Sequence, residues 1–139
     1  MSDTLRTVTV NRTGSTRYTA TNSSGATIEF GNDSASGFTP TELLLAAIGG
    51  CTALDADVAT TRHAEPLRFE VTVRGDKIGD EEGSRMENLA VTFHVEFPEG
   101  EAGDRARAIL PRAVALSHDK YCTVSRTVER GTPVSSTVE

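Results

Sequence analysis

Phe38-Thr39-Pro40-Thr41-Glu42-Leu43 is the stretch on which the fold turns, because it carries three helix-start signals at once. Thr39 suits the N-cap, Pro40 the first helical position, where a missing amide proton costs nothing, and Glu42 the returning half of a capping box. Phe38 and Leu43 would bracket that cap as a hydrophobic staple. Beyond it, Leu44, Ala47, Ile48, Cys51, Leu54 and Val58 recur at three- and four-residue spacing. This spacing predicts one long helix with an apolar stripe, lasting to about His63 ahead of Pro66. Cys51 lies on that stripe.

Upstream, residues 4–31 are rich in Thr and Val with short alternations, clearest at Ala26, Ile28 and Phe30. Breaks at 11–14 and at Asn22-Ser23-Ser24-Gly25 divide them into a meander of three strands, followed by a polar loop over 31–37. Downstream, Phe69, Val71 and Val73 alternate with Arg68, Glu70, Thr72 and Arg74, and Leu89, Val91, Phe93, Val95 and Phe97 form a second such run. Each reads as a strand with one wet face, the acidic residues 79–83 making a long turn between them. A second helix is expected from about Ala102 to Tyr121, with Ala106, Ile109, Leu110, Ala113 and Val114 inward, and Pro111 should kink or break it. The tail from Thr123 to Val138 returns to alternating Thr, Ser and Val, with Gly131-Thr132-Pro133 as a turn between two short strands. Strands in runs rather than alternating singly with helices give an α+β layout with mostly antiparallel sheet. One small sheet cannot wrap so apolar a helix, which predicts a partner subunit completing the core.

At 139 residues the chain has the size of one domain, 1–139. Its 37% hydrophobic and 24% charged residues match an ordinary soluble protein. The net charge of −6 offers phosphate backbones no basic cluster, so no nucleic acid is expected. Met1-Ser2-Asp3-Thr4 lacks the basic and apolar stretches of a signal peptide, and no apolar run approaches the ~20 residues that span a bilayer. A cytoplasmic protein without a membrane partner is the expectation. In that compartment two cysteines stay reduced unless chemistry oxidises them, which disfavours a purely structural disulfide.

Two sequence contexts carry the thiols. In Gly49-Gly50-Cys51, mid-helix glycines cost about 1 kcal/mol each, so the close approach of a backbone or ligand beside the thiol should offset them. The plain alternative is a small core cysteine at a tight helix crossing. Lys120-Tyr121-Cys122 falls where the second helix should end, and a helix C-terminus does not stabilise a thiolate. Cys122 therefore suits the second, resolving role, with simple burial as the alternative.

Among the charged neighbours, Glu42 is explained by its cap. Asp55, four residues after Cys51 on the same helical face, would raise that thiol's pKa unless a cation counters it. Arg17 in the second strand is the candidate cation, with a solvated strand residue as the alternative. His118 and Cys122 share helical spacing, but Asp119 points off that face and leaves a Cys-His pair without its orienting third group. Cys51, Cys122 and any of His63, His94 or His118 lack the close-set ligand pairs of structural zinc sites, so neither metal nor cofactor is predicted.

Taken together, Thr39-Pro40-Thr41-Glu42-Leu43-Leu44-Leu45, Gly49-Gly50-Cys51-Thr52 with Asp55, and Lys120-Tyr121-Cys122-Thr123-Val124 resemble the OsmC/Ohr family of thiol peroxidases, most closely its YhfA-like branch. The two cysteines stand seventy-one residues apart. The resemblance implies an OsmC-like fold: an intertwined homodimer whose sheets wrap two long central helices, each active site lying at the subunit interface. It implies that Cys51 attacks the peroxide oxygen and becomes a sulfenic acid, that Cys122 condenses with it to a disulfide, and that an external dithiol restores both. It also implies an activating arginine from the early strands, for which Arg17 or Arg12 qualifies by region. Two departures stand out: Thr41 occupies the place of a glutamate that holds this arginine in the best-described members, and Pro111 is an unusual choice in the second helix.

The leading expectation is thus a peroxidase for organic hydroperoxides, since the thiol lies on an apolar stripe. The replacement at Thr41 favours the alternative of a redox-sensing or small-molecule-binding protein on the same scaffold, without turnover. A Cys-His hydrolase built on Cys122 and His118 is a third.

Overall fold

Strands β1 (Val8–Gly14), β2 (Arg17–Asn22) and β3 (Thr27–Gly31) form the expected antiparallel meander in the computed structural model, which describes residues 4–139. Asn22 makes the turn into β3, its Oδ1 accepting from the amides of Ser24 (3.1 Å) and Ala26 (2.9 Å). Tyr18 and Phe30 face each other across the ladder with ring centroids 5.6 Å apart, and Phe30 is buried. After β3, the amide of Gly31 donates to the Phe38 carbonyl at 3.0 Å and brings the chain to the start of α1 (Pro40–Thr61). The capping box is formed as read: Thr39 N donates to Glu42 Oε1 at 2.9 Å, and Glu42 N to Thr39 Oγ1 at 3.2 Å. The chain gathers into two compact units, one ending at Leu44 and one spanning Leu45–Glu139.

In the second unit, β4 (Arg68–Asp80) and β5 (Gly83–Glu96) pair from Arg68↔Glu96 to Asp80↔Gly83. The acidic segment taken for a long turn is therefore mostly ladder, and only Glu81-Glu82 turn the corner. Asp80 Oδ1 accepts from the Glu82 amide at 2.8 Å and closes the turn locally, so no longer loop is needed. Phe69, Val71 and Val73 occupy the less exposed face, with Phe69 edge-on to Phe93 at 6.4 Å.

Helix α1 departs from its expected orientation. Its buried residues are Ile48, Gly49, Thr52, Ala56 and Thr60, whereas Leu44, Leu54 and Val58 of the predicted stripe stay 36%, 66% and 58% exposed. The helix is apolar on several faces, so periodicity alone did not select the one that packs inward. Small residues did. A Cβ on Gly49 would stand 2.5 Å from Val73 Cγ2, so this glycine lets the helix backbone settle onto β4. The Gly50 position faces open space. Averaged over 18 residues, α1 has a hydropathy of 1.5, a value that core helices share with membrane spans.

Helix α2 (Glu101–Leu116) runs through Pro111, which removes one backbone bond without ending it. Helical order changes later, at a π-helical turn over Ser117–Tyr121. The predicted terminal strands are replaced by α3 (Thr123–Arg130), and residues 131–139 form neither strand nor helix. Two caps decide this against the alternating pattern. Cys122 stands at the N-cap with its sulfur accepting from Ser125 N at 3.4 Å, and Gly131 takes the left-handed C-cap position at φ 64°. Arg126 Nη1 ties α3 back to the Asp119 carbonyl at 2.7 Å.

Candidate active site

Cys51, midway along α1, and Cys122, between the π-turn and α3, meet in the second unit as free thiols close enough to interact directly. Cys122 is completely buried, while Cys51 retains some solvent access. The first turn of α3 serves both sulfurs. The backbone amides of Thr123 and Val124 act on Cys51, and those of the next residue on Cys122, which accepts from Ser125 N and lies 3.3 Å from Ser125 Oγ. These are the orphan amides of a helix N-terminus, directed at groups that gain negative charge on ionisation.

Electrostatics separate the two thiols in the opposite sense to the sequence reading. Burial is the largest influence on Cys51 and pushes its thiol above the ordinary range, an effect that the Val124 and Thr123 amides only partly offset. Burial also disfavours the Cys122 thiolate, but the Ser125 hydroxyl and amide and the Cys51 thiol outweigh it and hold Cys122 below the ordinary range. Cys122 closes the π-turn, as expected of a helix end, but it is also the N-cap of α3, and the amides of that second helix start favour its thiolate. Of the two, Cys51 is thus the thiol that favours its protonated form and Cys122 the one that ionises more readily.

Asp55 bears on Cys122, whose ionisation it opposes, rather than chiefly on its helical neighbour. Its Oδ2 lies 2.6 Å from Ser117 Oγ, which is also 3.1 Å from Thr52 Oγ1. Ser117 has a single hydroxyl proton and an ionised carboxylate only accepts, so that proton serves Asp55 and Thr52 donates to Ser117. Nothing in the sequence singled out Ser117. Ser125 was legible in principle, as the third residue after a capping position.

His118 faces Glu129 at 3.4 Å, and Cys122 is engaged by Ser125 and Cys51, so the Cys-His pair of the hydrolase reading is not formed. Among the described residues, no group of three or more His, Cys, Asp or Glu is placed to hold a metal ion. Arg17 belongs to the first unit. There it is partly buried, with its guanidinium passing over Gly31, where a Cβ would come within 2.6 Å of Nη1. Arg12 is exposed on β1.

A cavity of about 460 Å³ lies in the second unit, lined by neighbours of the two cysteines but by neither cysteine itself. Ile48, Leu89, Val91, Phe93 and Val114 give it apolar walls, Thr52, next in sequence to Cys51, and Ser125, which bonds Cys122, line it too, and His118 and Glu129 add a polar side.

An uncharacterized protein of Mycobacterium tuberculosis is 30% identical to this chain over 128 residues, covering 91% of this chain and 90% of its own length. Among solved structures, an OsmC-like protein of unknown function from Vibrio cholerae superposes with a TM-score of 0.73 at 16% identity, over 93% of this chain and 95% of that one. The organic hydroperoxide resistance protein OhrB of Bacillus subtilis superposes with a TM-score of 0.52 at 22% identity, over 89% and 90% of the two chains. The two structures share this fold. The family model described as OsmC-like protein matches residues 31–137, a span that holds α1, both thiols and every element of the second unit, and the chain therefore belongs to the OsmC-like protein family.

Proposed function

We propose that the protein is a cysteine-based peroxidase that reduces organic hydroperoxides. The observation that carries this reading is the meeting of two free thiols, one accessible and one buried, at the amide-rich start of α3. Cys51, as a thiolate, attacks the outer peroxide oxygen. The O–O bond breaks, the alkoxide takes a proton to leave as an alcohol, and Cys51 becomes a sulfenic acid. Cys122 then attacks that sulfur, a disulfide forms, and the departing hydroxide is protonated to water. A dithiol reduces the disulfide and is itself oxidised.

The division of labour follows access and ionisation together. Peroxide reaches the more open sulfur, whereas the buried sulfur ionises more readily and attacks the sulfenic acid as a thiolate. The apolar cavity favours the organic class of substrate over hydrogen peroxide. Arg17 is kept as the proposed activating cation for Cys51 on the family resemblance alone. One equivalent of an organic hydroperoxide added to reduced protein should remove both thiols in a free-thiol titration. Retention of both would end the reading.

Burial of Cys51 also favours a second reading, because a thiol held above its ordinary range is slow to react. In that reading the protein senses redox state or binds an apolar small molecule in the same cavity, without turnover. Steady consumption of hydroperoxide beyond one equivalent in the presence of a dithiol separates the two, since a sensor or binding protein would not sustain it.

A cytoplasmic homodimer is part of the proposal. Gly50, Leu54 and Val58 follow one another at four-residue spacing on the exposed side of α1, and a mid-helix glycine facing open space carries its cost of about 1 kcal/mol without a contact in the protomer. A second copy of the helix would cover that stripe. Sedimentation at micromolar concentration should give twice the chain mass, and a monomer would remove this part of the proposal.

A further inference from the structure

Ser117 is completely buried, and a buried hydroxyl is costly unless it is hydrogen-bonded. Its partners, Thr52 and Asp55, stand one and four residues after Cys51 on α1. The backbone of Ser117 is engaged as well. Its carbonyl accepts the amide proton of Cys122 at 2.7 Å, across the π-turn that Ser117 begins. A continuous hydrogen-bonded path therefore runs from the helix that carries one thiol, through a single buried residue, to the backbone of the other thiol. Short π-helical turns are rare and frequently lie at functional sites, so a clamp at the first residue of this one bears on how the turn is held.

We infer that Asp55 and Ser117 are positioning residues that lock the π-turn to α1 and so hold Cys122 in register for disulfide formation with Cys51. The inference needs the disulfide of the proposed function but not its peroxide step. In the reduced protein the lock restricts Cys122 to the neighbourhood of Cys51, which raises the effective concentration of one thiol at the other. Without the lock, the reduced turn gains freedom that the cross-linked form does not, and the dithiol is favoured over the disulfide.

The test is the thiol–disulfide equilibrium of the full chain in mixtures of reduced and oxidised dithiothreitol, read as the fraction of protein disulfide after acid quench and alkylation. Ser117→Ala and Asp55→Ala should each lower the equilibrium constant at least tenfold. Asp55→Asn keeps an acceptor for the serine proton without the charge and should stay within threefold of the parent. Unchanged constants in the two alanine variants would overturn the inference. So would an Asp55→Asn variant that falls as far as Asp55→Ala, since charge rather than the hydrogen bond would then be acting. Circular dichroism reports folding. If Asp55→Ala is unfolded, Ser117→Ala alone decides, because it removes the same bond and retains the carboxylate. A parent protein that forms no disulfide in any mixture refutes the inference, whereas one that shows the expected series yet consumes no hydroperoxide refutes only the peroxidase reading.

Discussion

Cys51→Ser is expected to bring hydroperoxide consumption down to background, a loss of roughly three orders of magnitude or more, since a serine hydroxyl remains protonated where a thiol can ionise. The substitution keeps side-chain shape and leaves Gly49 free to pack on Val73, so the variant should stay folded. The same reasoning fixes the pH dependence of the parent. Burial holds the Cys51 thiol above its ordinary range, so at neutral pH most of it is protonated and only the small thiolate fraction reacts. Raising the pH towards that value increases the thiolate about tenfold per unit, and the rate of the first oxidation should climb with it. Stopped-flow mixing of reduced protein with an organic hydroperoxide between pH 6 and 9 measures both. A serine variant as fast as the parent would show that chemistry lies elsewhere, and a flat profile would mean that a cation already holds Cys51 as thiolate.

The second large effect is expected at the other sulfur. Cys122→Ser should leave the first oxidation intact but strand Cys51 as sulfenic acid, with dithiol-supported turnover falling about tenfold or more and excess peroxide driving the sulfur on to sulfinic acid. Serine is a better helix cap than cysteine, so α3 should keep its start, and the loss can be assigned to chemistry rather than to unfolding. Trapping with dimedone followed by mass spectrometry reads the outcome. Unchanged turnover with nothing trapped would remove Cys122 from the cycle.

The parts of the fold that were legible are those set by local chemistry. The Thr39–Glu42 box needs only four neighbouring residues, and the three-strand meander and the β4–β5 hairpin follow from alternation. The inner face of α1 was not legible, because Leu54 and Val58 are as apolar as Ile48 and only the fit of Gly49 against Val73 chooses between them. The tail was misread because Thr, Ser and Val in alternation favour a strand, whereas the cap that starts α3 is a cysteine, a residue outside the usual capping set. At the site, both thiols stood out from residue type alone. Their ranking by acidity did not, since it depends on α3, a helix that starts at Cys122 and that the alternating tail conceals.

The π-turn between α2 and α3 gives the thiol pair one more property. Along an ordinary α-helix the amide of Cys122 would bond to the carbonyl of His118, but here it reaches back one residue further, to Ser117. Each residue of a helix advances the chain by roughly 100° about its axis, so that single slip is of the order of a quarter turn of azimuth at Cys122. Whether the two sulfurs meet is thus a question of phase more than of distance. A chain of the same length and composition, wound in step through residues 117–121, would carry both cysteines and aim one of them away from the other.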